Sequence, residues 1–317
     1  MNSQPTAAAD PRPHRDLFKV LCWLASAAVV FLIFWVAAQI GKTAWPAISK
    51  FGLGFLTQSE WNPVTDKYGV FPFLVGTVMS SGIALLFALP LGLAIAIFLS
   101  ENFLPLRVRQ IVRFVVELLA AIPSVVYGLW GIAVLIPLVV SVGRPVSAAL
   151  DSNGHGLLFF AGPVIGNSML TASLVLALMI LPTIAAISRA ALVSVPGTLR
   201  EGAYALGCTR WEAIFGVIIP GALPGIVAAT ILALGRAMGE TMAVAMLIGN
   251  SPRLTWSLFQ PAGTLSSLLA NQFAEADGIR VNALMYAALA LMALTVIVNI
   301  AGEAVLRVAQ RKTAGIR

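Results

Sequence analysis

Charge is what this sequence has least of. Only 10% of its 317 residues are Asp, Glu, Lys or Arg, against about 25% in soluble domains. That scarcity excludes an ordinary water-solvated surface, and with 59% hydrophobic residues the chain reads as a membrane protein. Cysteine and histidine are equally scarce, at two each. Two lone cysteines and two distant histidines make no metal-binding set. They also offer no Asp–His or Cys–His pair inside the membrane, which argues against an embedded enzyme. Neither Cys22 nor Cys208 falls where a disulfide is expected. No G-x-x-x-x-G-K-[ST] loop occurs, so ATP binding by that motif is absent and any hydrolysis belongs to another chain.

Long uncharged runs are what the sequence does contain. They cover residues 20–40, 68–100, 114–143 (with Glu117), 156–188, 213–252 (with Arg236 and Glu240) and 281–302. A spanning helix needs about 20 apolar residues, and no run shows the dyad alternation of a barrel. The expected fold is therefore all-α, a polytopic bundle of six spans. The first run exceeds the 7–15 residues typical of a signal-peptide core and is expected to stay as a helix. Trp35 and Trp45 bracket its outer end. The expected organisation is a disordered tail at 1–16, a membrane body at 17–306 and a tail at 307–317. External segments fall at 41–67, 144–155 and 251–280, with a short helix near 265–274 in the last. Phe51, Phe55 and Trp61 are too apolar for a plain loop and fit either interfacial anchoring or a surface for a partner.

Orientation follows from the basic residues. With the N-terminus inside, 13 Lys and Arg fall in internal segments and 6 in external ones, while Arg236 stays in the membrane. The positive-inside rule thus puts both termini in the cytoplasm. The net charge of +7 is explained by topology and calls for no nucleic acid.

Residues 196–224, PGTLREGAYALGCTRWEAIFGVIIPGALP, form an amphipathic island between two apolar runs, on the internal side. Thr198 with Glu201 and Thr209 with Glu212 each spell T-x-x-E, a capping box. Gly207 sits where a left-handed stop is favoured. The pattern predicts a short helix at 199–206, a tight turn and a second helix from Arg210. Pro220 and Pro224 mark the return to the membrane. Two turns of helix are unstable alone in water, so this segment lies on the membrane surface or docks on a partner.

Two further places carry candidate chemistry. Glu117 opens ELLAAIPS, within reach of Arg113 one turn away. Pro123 and Ser124 follow, and Pro123, Gly128 and Gly131 predict a broken or kinked helix. Arg236 and Glu240 are spaced i, i+4 in LGRAMGETMAV, on one helix face, with Thr241 beside them. Arg236 lies about 21 Å along the helix from Ala222 at 1.5 Å per residue, deep in the membrane. A charge there is a functional candidate by default. Either the pair neutralises itself and locks packing, or Arg236 meets an anionic solute and Glu240 holds it between events. A guanidinium fork matches an oxyanion.

Glu201-Gly202-Ala203, three residues, Gly207, nine residues, Val217-x-Ile219-Pro220 resembles the EAA loop of ABC-importer permeases, with Gly202 in place of the middle Ala. ELLAAIPSVVYG and GRAMGETMAV resemble the strings of PstC-type permeases of phosphate ABC importers. The resemblance implies a type I permease fold and a coupling helix that inserts into a separate ATPase. The implied partners are a PstA-like permease as the other half of a heterodimer, two ATPase subunits and a phosphate-binding protein. It also implies a bacterial inner-membrane location, no cofactor on this chain and ATP on the partner. An importer for another oxyanion or organic solute, or a gradient-driven secondary transporter, is the competing expectation.

Overall fold

The computed structural model describes the backbone of residues 13–101, 103, 105–151 and 163–314. Among these described residues, six helical segments are long and apolar enough to cross a membrane: Lys19–Phe51, Phe71–Ser100, Ser124–Ala149, Met169–Val193, Arg210–Gly239 and Ile279–Val308. Helix α1 (Pro13–Phe51) is continuous over 39 residues. It takes in 13–16, expected to be disordered, and extends well into the segment read as external from residue 41; residues 1–12 lie outside the described part.

After α1 come α2 (Gly54–Thr57) and a two-stranded hairpin of β1 (Trp61–Asn62) and β2 (Lys67–Tyr68), with Trp61 opposite Tyr68. Asp66 turns the hairpin at φ 52, a left-handed conformation that Asp tolerates better than most residues. The aromatic residues here pack on the chain itself. Phe55 stacks on Tyr286 at 4.3 Å, Trp61 meets Tyr68 edge-on at 5.0 Å, and the Trp61 indole donates to Gln272 Oε1 at 2.9 Å.

Helix α3 (Phe71–Ser100) leads through a turn to α4 (Leu106–Ala121). The stretch read as a link with the start of the third span is thus an amphipathic helix of its own, with Arg107, Arg109 and Arg113 on it. It stops at Ile122-Pro123, and α5 (Ser124–Trp130) begins the span. The expected break at Pro123 is present. The reason is steric: the residue before a proline is pushed out of helical conformation, and Ile122 is extended at ψ 128. A π turn at Gly131–Leu135 joins α5 to α6 (Ile136–Asp151). Arg144, expected in a loop, lies inside α6, while Asn153, Gly154 and His155 are outside the described residues.

Helix α7 (Met169–Val193) is the axis of the bundle. It packs on α3 and on α10 (Ile219–Gly239). Its neighbours meet it with small residues, Ala84, Ala88, Ala233 and Ala237, in one cluster with Leu176, Ile180 and Ile184. Small side chains let helices approach where no hydrophobic force drives them together. Between α7 and α10 lie α8 (Gly197–Ala205), α9 (Arg210–Ala213) and a second π turn, Ile214–Ile218. Each π turn ends one residue before a residue followed directly by proline, Pro137 or Pro220. A proline has no N–H to give to the preceding turn and its ring needs room; a widened turn meets both demands.

The fifth apolar run does not form one helix. It ends at Gly239 and resumes as α11 (Met242–Leu247). Helix α12 (Leu265–Gln272) with a 3-10 turn at Phe273–Glu275 matches the short helix expected in 251–280. Helix α13 (Ile279–Ala314) runs on through 307–314, so the described part of the tail segment is helical.

Candidate functional site

Two places gather the candidate residues. The first is the break in the fifth span. Gly235 and Gly239 weaken the end of α10, and Glu240 leaves helical geometry with ψ 128. The freed Glu240 carbonyl accepts a hydrogen bond from Ser266 Oγ on α12 at 2.7 Å. That break removes the expected i, i+4 pairing: the described ion pairs do not include Arg236 with Glu240. Once Glu240 is extended, the face it shared with Arg236 no longer exists. Arg236 instead donates from Nη1 to Thr183 Oγ1 on α7 at 3.4 Å. Thr241 turns its hydroxyl back to the Gly239 carbonyl at 3.0 Å. The result is an exposed guanidinium in the last turn of α10, bonded to a hydroxyl rather than to a carboxylate among the described residues.

The Pro123 break lies against this region. Tyr127 donates its hydroxyl to the Leu119 carbonyl at 2.8 Å, stitching α5 to α4 across the interruption. Glu117 is not part of the cluster. It pairs with Arg113 Nε at 2.7 Å on the exposed face of α4, as its position one turn away predicts.

The second place is the 196–224 loop. At Thr209 the expected capping box is complete: Thr209 Oγ1 accepts from the Glu212 N–H, and the Glu212 carboxylate accepts from the Thr209 N–H at 2.7 Å. Gly207 adopts φ +87, the left-handed stop its position calls for. The other box does not form. Helix α8 starts at Gly197, with Pro196 before it and no side-chain cap. The fixed φ of Pro196 starts the helix earlier, which leaves Thr198 inside the first turn. Ala203 faces inward and is buried, while Glu201, Gly202 and Gly207 are exposed. Val217, Ile219 and Pro220 are half-buried at the start of α10, with Ile218 fully buried between them. The outward face carries Leu206, 87% exposed, together with Leu199, Tyr204 and Trp211. Isolated exposed leucines are ordinary, but a cluster of large apolar groups on two short helices is a surface made for contact.

Residues 88–315 match the family of binding-protein-dependent transport system inner membrane components. A phosphate transport system permease protein PstC from Mesorhizobium japonicum is 45% identical over 263 residues, 83% of this chain and 80% of its own. A PstC from Haemophilus influenzae is 42% identical over 286 residues, 90% of each chain. The chain belongs to this permease family. The likeness read in ELLAAIPS and GRAMGETMAV therefore extends along most of the permease. Its fold is shared with a bacterial alginate ABC transporter chain (TM-score 0.59, 18% identity, 92% of this chain and 96% of that one). It is shared too with a chain of the MetNI methionine transporter in an inward-facing form (TM-score 0.54, 21% identity, 76% and 94%).

Three contributors to the permease's site were not legible from spacing. Thr183 follows a proline within an apolar run, and nothing local marks its hydroxyl as facing Arg236. Tyr127 reads as one aromatic among many. Glu101 reads as a loop acid, yet it bonds Arg200 of α8 at 2.6 Å. Each is brought into place by packing between distant segments.

Proposed function

We propose that this permease is the PstC-type half of an ATP-driven phosphate importer in the bacterial inner membrane. Both termini are cytoplasmic, as the basic-residue distribution favours. A PstA-like permease supplies the other half of the path. Two ATPase subunits sit beneath, and a phosphate-binding protein delivers solute from outside. ATP is bound by the ATPase subunits, and this chain binds no cofactor.

The observation that carries this reading is Arg236: a guanidinium in the last turn of α10 that bonds no carboxylate among the described residues and lies beside the Thr183 hydroxyl. An uncompensated arginine in the membrane interior is costly unless it faces a cavity or a counter-anion. Phosphate meets both needs, since its oxygens accept from the guanidinium fork and from a hydroxyl. Glu240 and Thr241, at the adjacent break, limit how tightly the anion is held and flank its exit. On the internal side, Glu201, Gly202 and Gly207 with the apolar face at Leu206 engage the ATPase. Ala203, Val217, Ile219 and Pro220 hold the loop's shape behind that face. ATP binding closes the ATPase pair, the loop is displaced, and the spans reorient so that phosphate enters, passes Arg236 and leaves inward after hydrolysis. Pro123 and Ser124 contribute to gating at the joint of α4 and α5, which the Tyr127 hydrogen bond holds, while Glu117 serves packing through Arg113 on α4.

The test is transport by the reconstituted complex. ATP-dependent uptake of labelled phosphate, competed by unlabelled phosphate but not by sulfate or molybdate, is the expected result. Uptake driven by a proton gradient without ATP, or competition by sulfate, would overturn it.

A further inference from the structure

The inner end of α3 is gripped by three arginines from three other elements. A helix C-terminus presents unpaired carbonyls and a partial negative charge. Here Arg189 of α7 donates to the Leu99 carbonyl at 3.4 Å, and Arg109 of α4 donates to the Glu101 carbonyl at 3.3 Å. Arg200 of α8 donates from Nη1 to Glu101 Oε1 and from Nη2 to the Leu192 carbonyl, both at 2.6 Å. One guanidinium thus ties the short helix of the loop to the ends of two spans.

This ion pair differs from the others. The side chains of Arg200 and Glu101 are 21% and 12% exposed, whereas those of Lys67–Glu60, Arg113–Glu117 and Arg307–Glu303 are all at least 55% exposed. Shielded pairs are screened little by salt, and one partner left alone keeps an uncompensated charge. A second link runs alongside. Phe103, in the turn after α3, stacks on Trp211 of α9 at 5.1 Å and meets Phe98 of α3 at 5.7 Å. Arg210 and Tyr204 line the same 260 Å³ recess beside the pair.

We propose that Glu101 and Arg200 form the strut through which displacement of α8 is delivered to α3, the span most closely packed on α7. The chain leaves α8 in two directions, back through residues 194–196 into α7 and on through α9 and the π turn into α10, and in neither direction does it run directly into α3. A push on α8 carried by the chain alone therefore reaches α3 only indirectly, through the spans packed against it. The strut bypasses that route: α8, the inner end of α3 and the last turn of α7 move as one body throughout the cycle. Glu101 and Arg200 are positioning residues, and neither touches the solute.

The inference rests on the ATPase partner of the proposed function but not on the solute's route past Arg236. The experiment uses the full reconstituted complex in vesicles and reads phosphate moved per ATP hydrolysed. Wild-type complex must first couple the two; if it does not, the functional reading fails and not the strut. Glu101→Gln is expected to assemble normally and hydrolyse ATP while moving at least about tenfold less phosphate per ATP. The second variant is Glu101→Cys with Arg200→Cys, in a background where Cys22 and Cys208 are replaced by Ala. It is expected to be uncoupled when open and to regain coupling when the two thiols are bridged by a short bifunctional thiol reagent. A normal phosphate-to-ATP ratio in Glu101→Gln, coupling in the unbridged double variant, or failure of bridging to restore coupling would each overturn the proposal.

Discussion

A guanidinium in the last turn of an apolar helix that breaks off beside it has to be compensated. Insertion scales put an arginine at a helix centre at about 2.5–3.5 kcal/mol; Arg236, in the last turn of α10, has the helix's carbonyl end and a 3.4 Å contact with Thr183. A residue retained for packing alone would be expected to hold its nearest carboxylate, and the break at Glu240 prevents that. Arg236→Gln should therefore leave the amount of assembled complex unchanged while lowering phosphate uptake more than tenfold. Arg236→Lys should recover part of it, because a point charge replaces the fork. Uptake measured per assembled complex decides; full activity in the Gln variant would leave Arg236 without a transport role. At the opposite end, Tyr68 offers a pH probe. Burial first, and the adjacent Asp66 carboxylate second, raise its phenol above the usual range. The folded state thus favours the neutral phenol. Its contribution is intact at neutral pH and is lost as the pH rises from about 10, the ordinary phenol value, through the raised one. Ultraviolet titration against Tyr68→Phe should show one tyrosine ionising late, and ionisation in the ordinary range would contradict the packing described for the hairpin.

At the scale of elements, sequence signals held where the decision is local. The Thr209–Glu212 box and the Gly207 stop are set by residues three apart, and both formed. Thr209→Ala should cost about 1 kcal/mol of local stability, read as faster amide exchange in α9 with α7 unaffected. Signals failed where a distant partner or a competing proline decides. Thr198–Glu201 lost to Pro196, and the Arg236–Glu240 spacing lost to a break sealed by Ser266 from 26 residues away. The apolar length of 114–143 concealed an amphipathic helix, because hydropathy averages over the Pro123 break. Close packing was equally silent: a Cβ built on Gly128 would lie 2.5 Å from Met246 Sδ on α11. Gly128→Val should then destabilise the contact of α5 with α11 by about 1–3 kcal/mol. The melting temperature of the purified chain in detergent should fall accordingly; an unchanged value would mean the two elements are not so closely packed.

Across the whole molecule the packing falls into three stacked clusters. One joins the hairpin to α12 and the start of α13, one surrounds α7, and one gathers Ile97, Leu192, Ile214 and Ile218 at the loop end. The six spans could be read from apolar length, since that is a property of the chain against the bilayer. How force crosses from one cluster to the next could not, because it depends on contacts such as Arg200 with Glu101. The central claim is that the loop's exposed apolar face is occupied by a separate ATPase beneath the membrane. Leu206, at the tip of that face, tests it most directly through Leu206→Cys in a chain whose two native cysteines are replaced by Ala. In the assembled complex this thiol should crosslink to the ATPase subunit and stay unlabelled by an impermeant reagent added outside intact cells. Labelling from outside, or an assembled complex in which no ATPase adduct forms, would contradict the account.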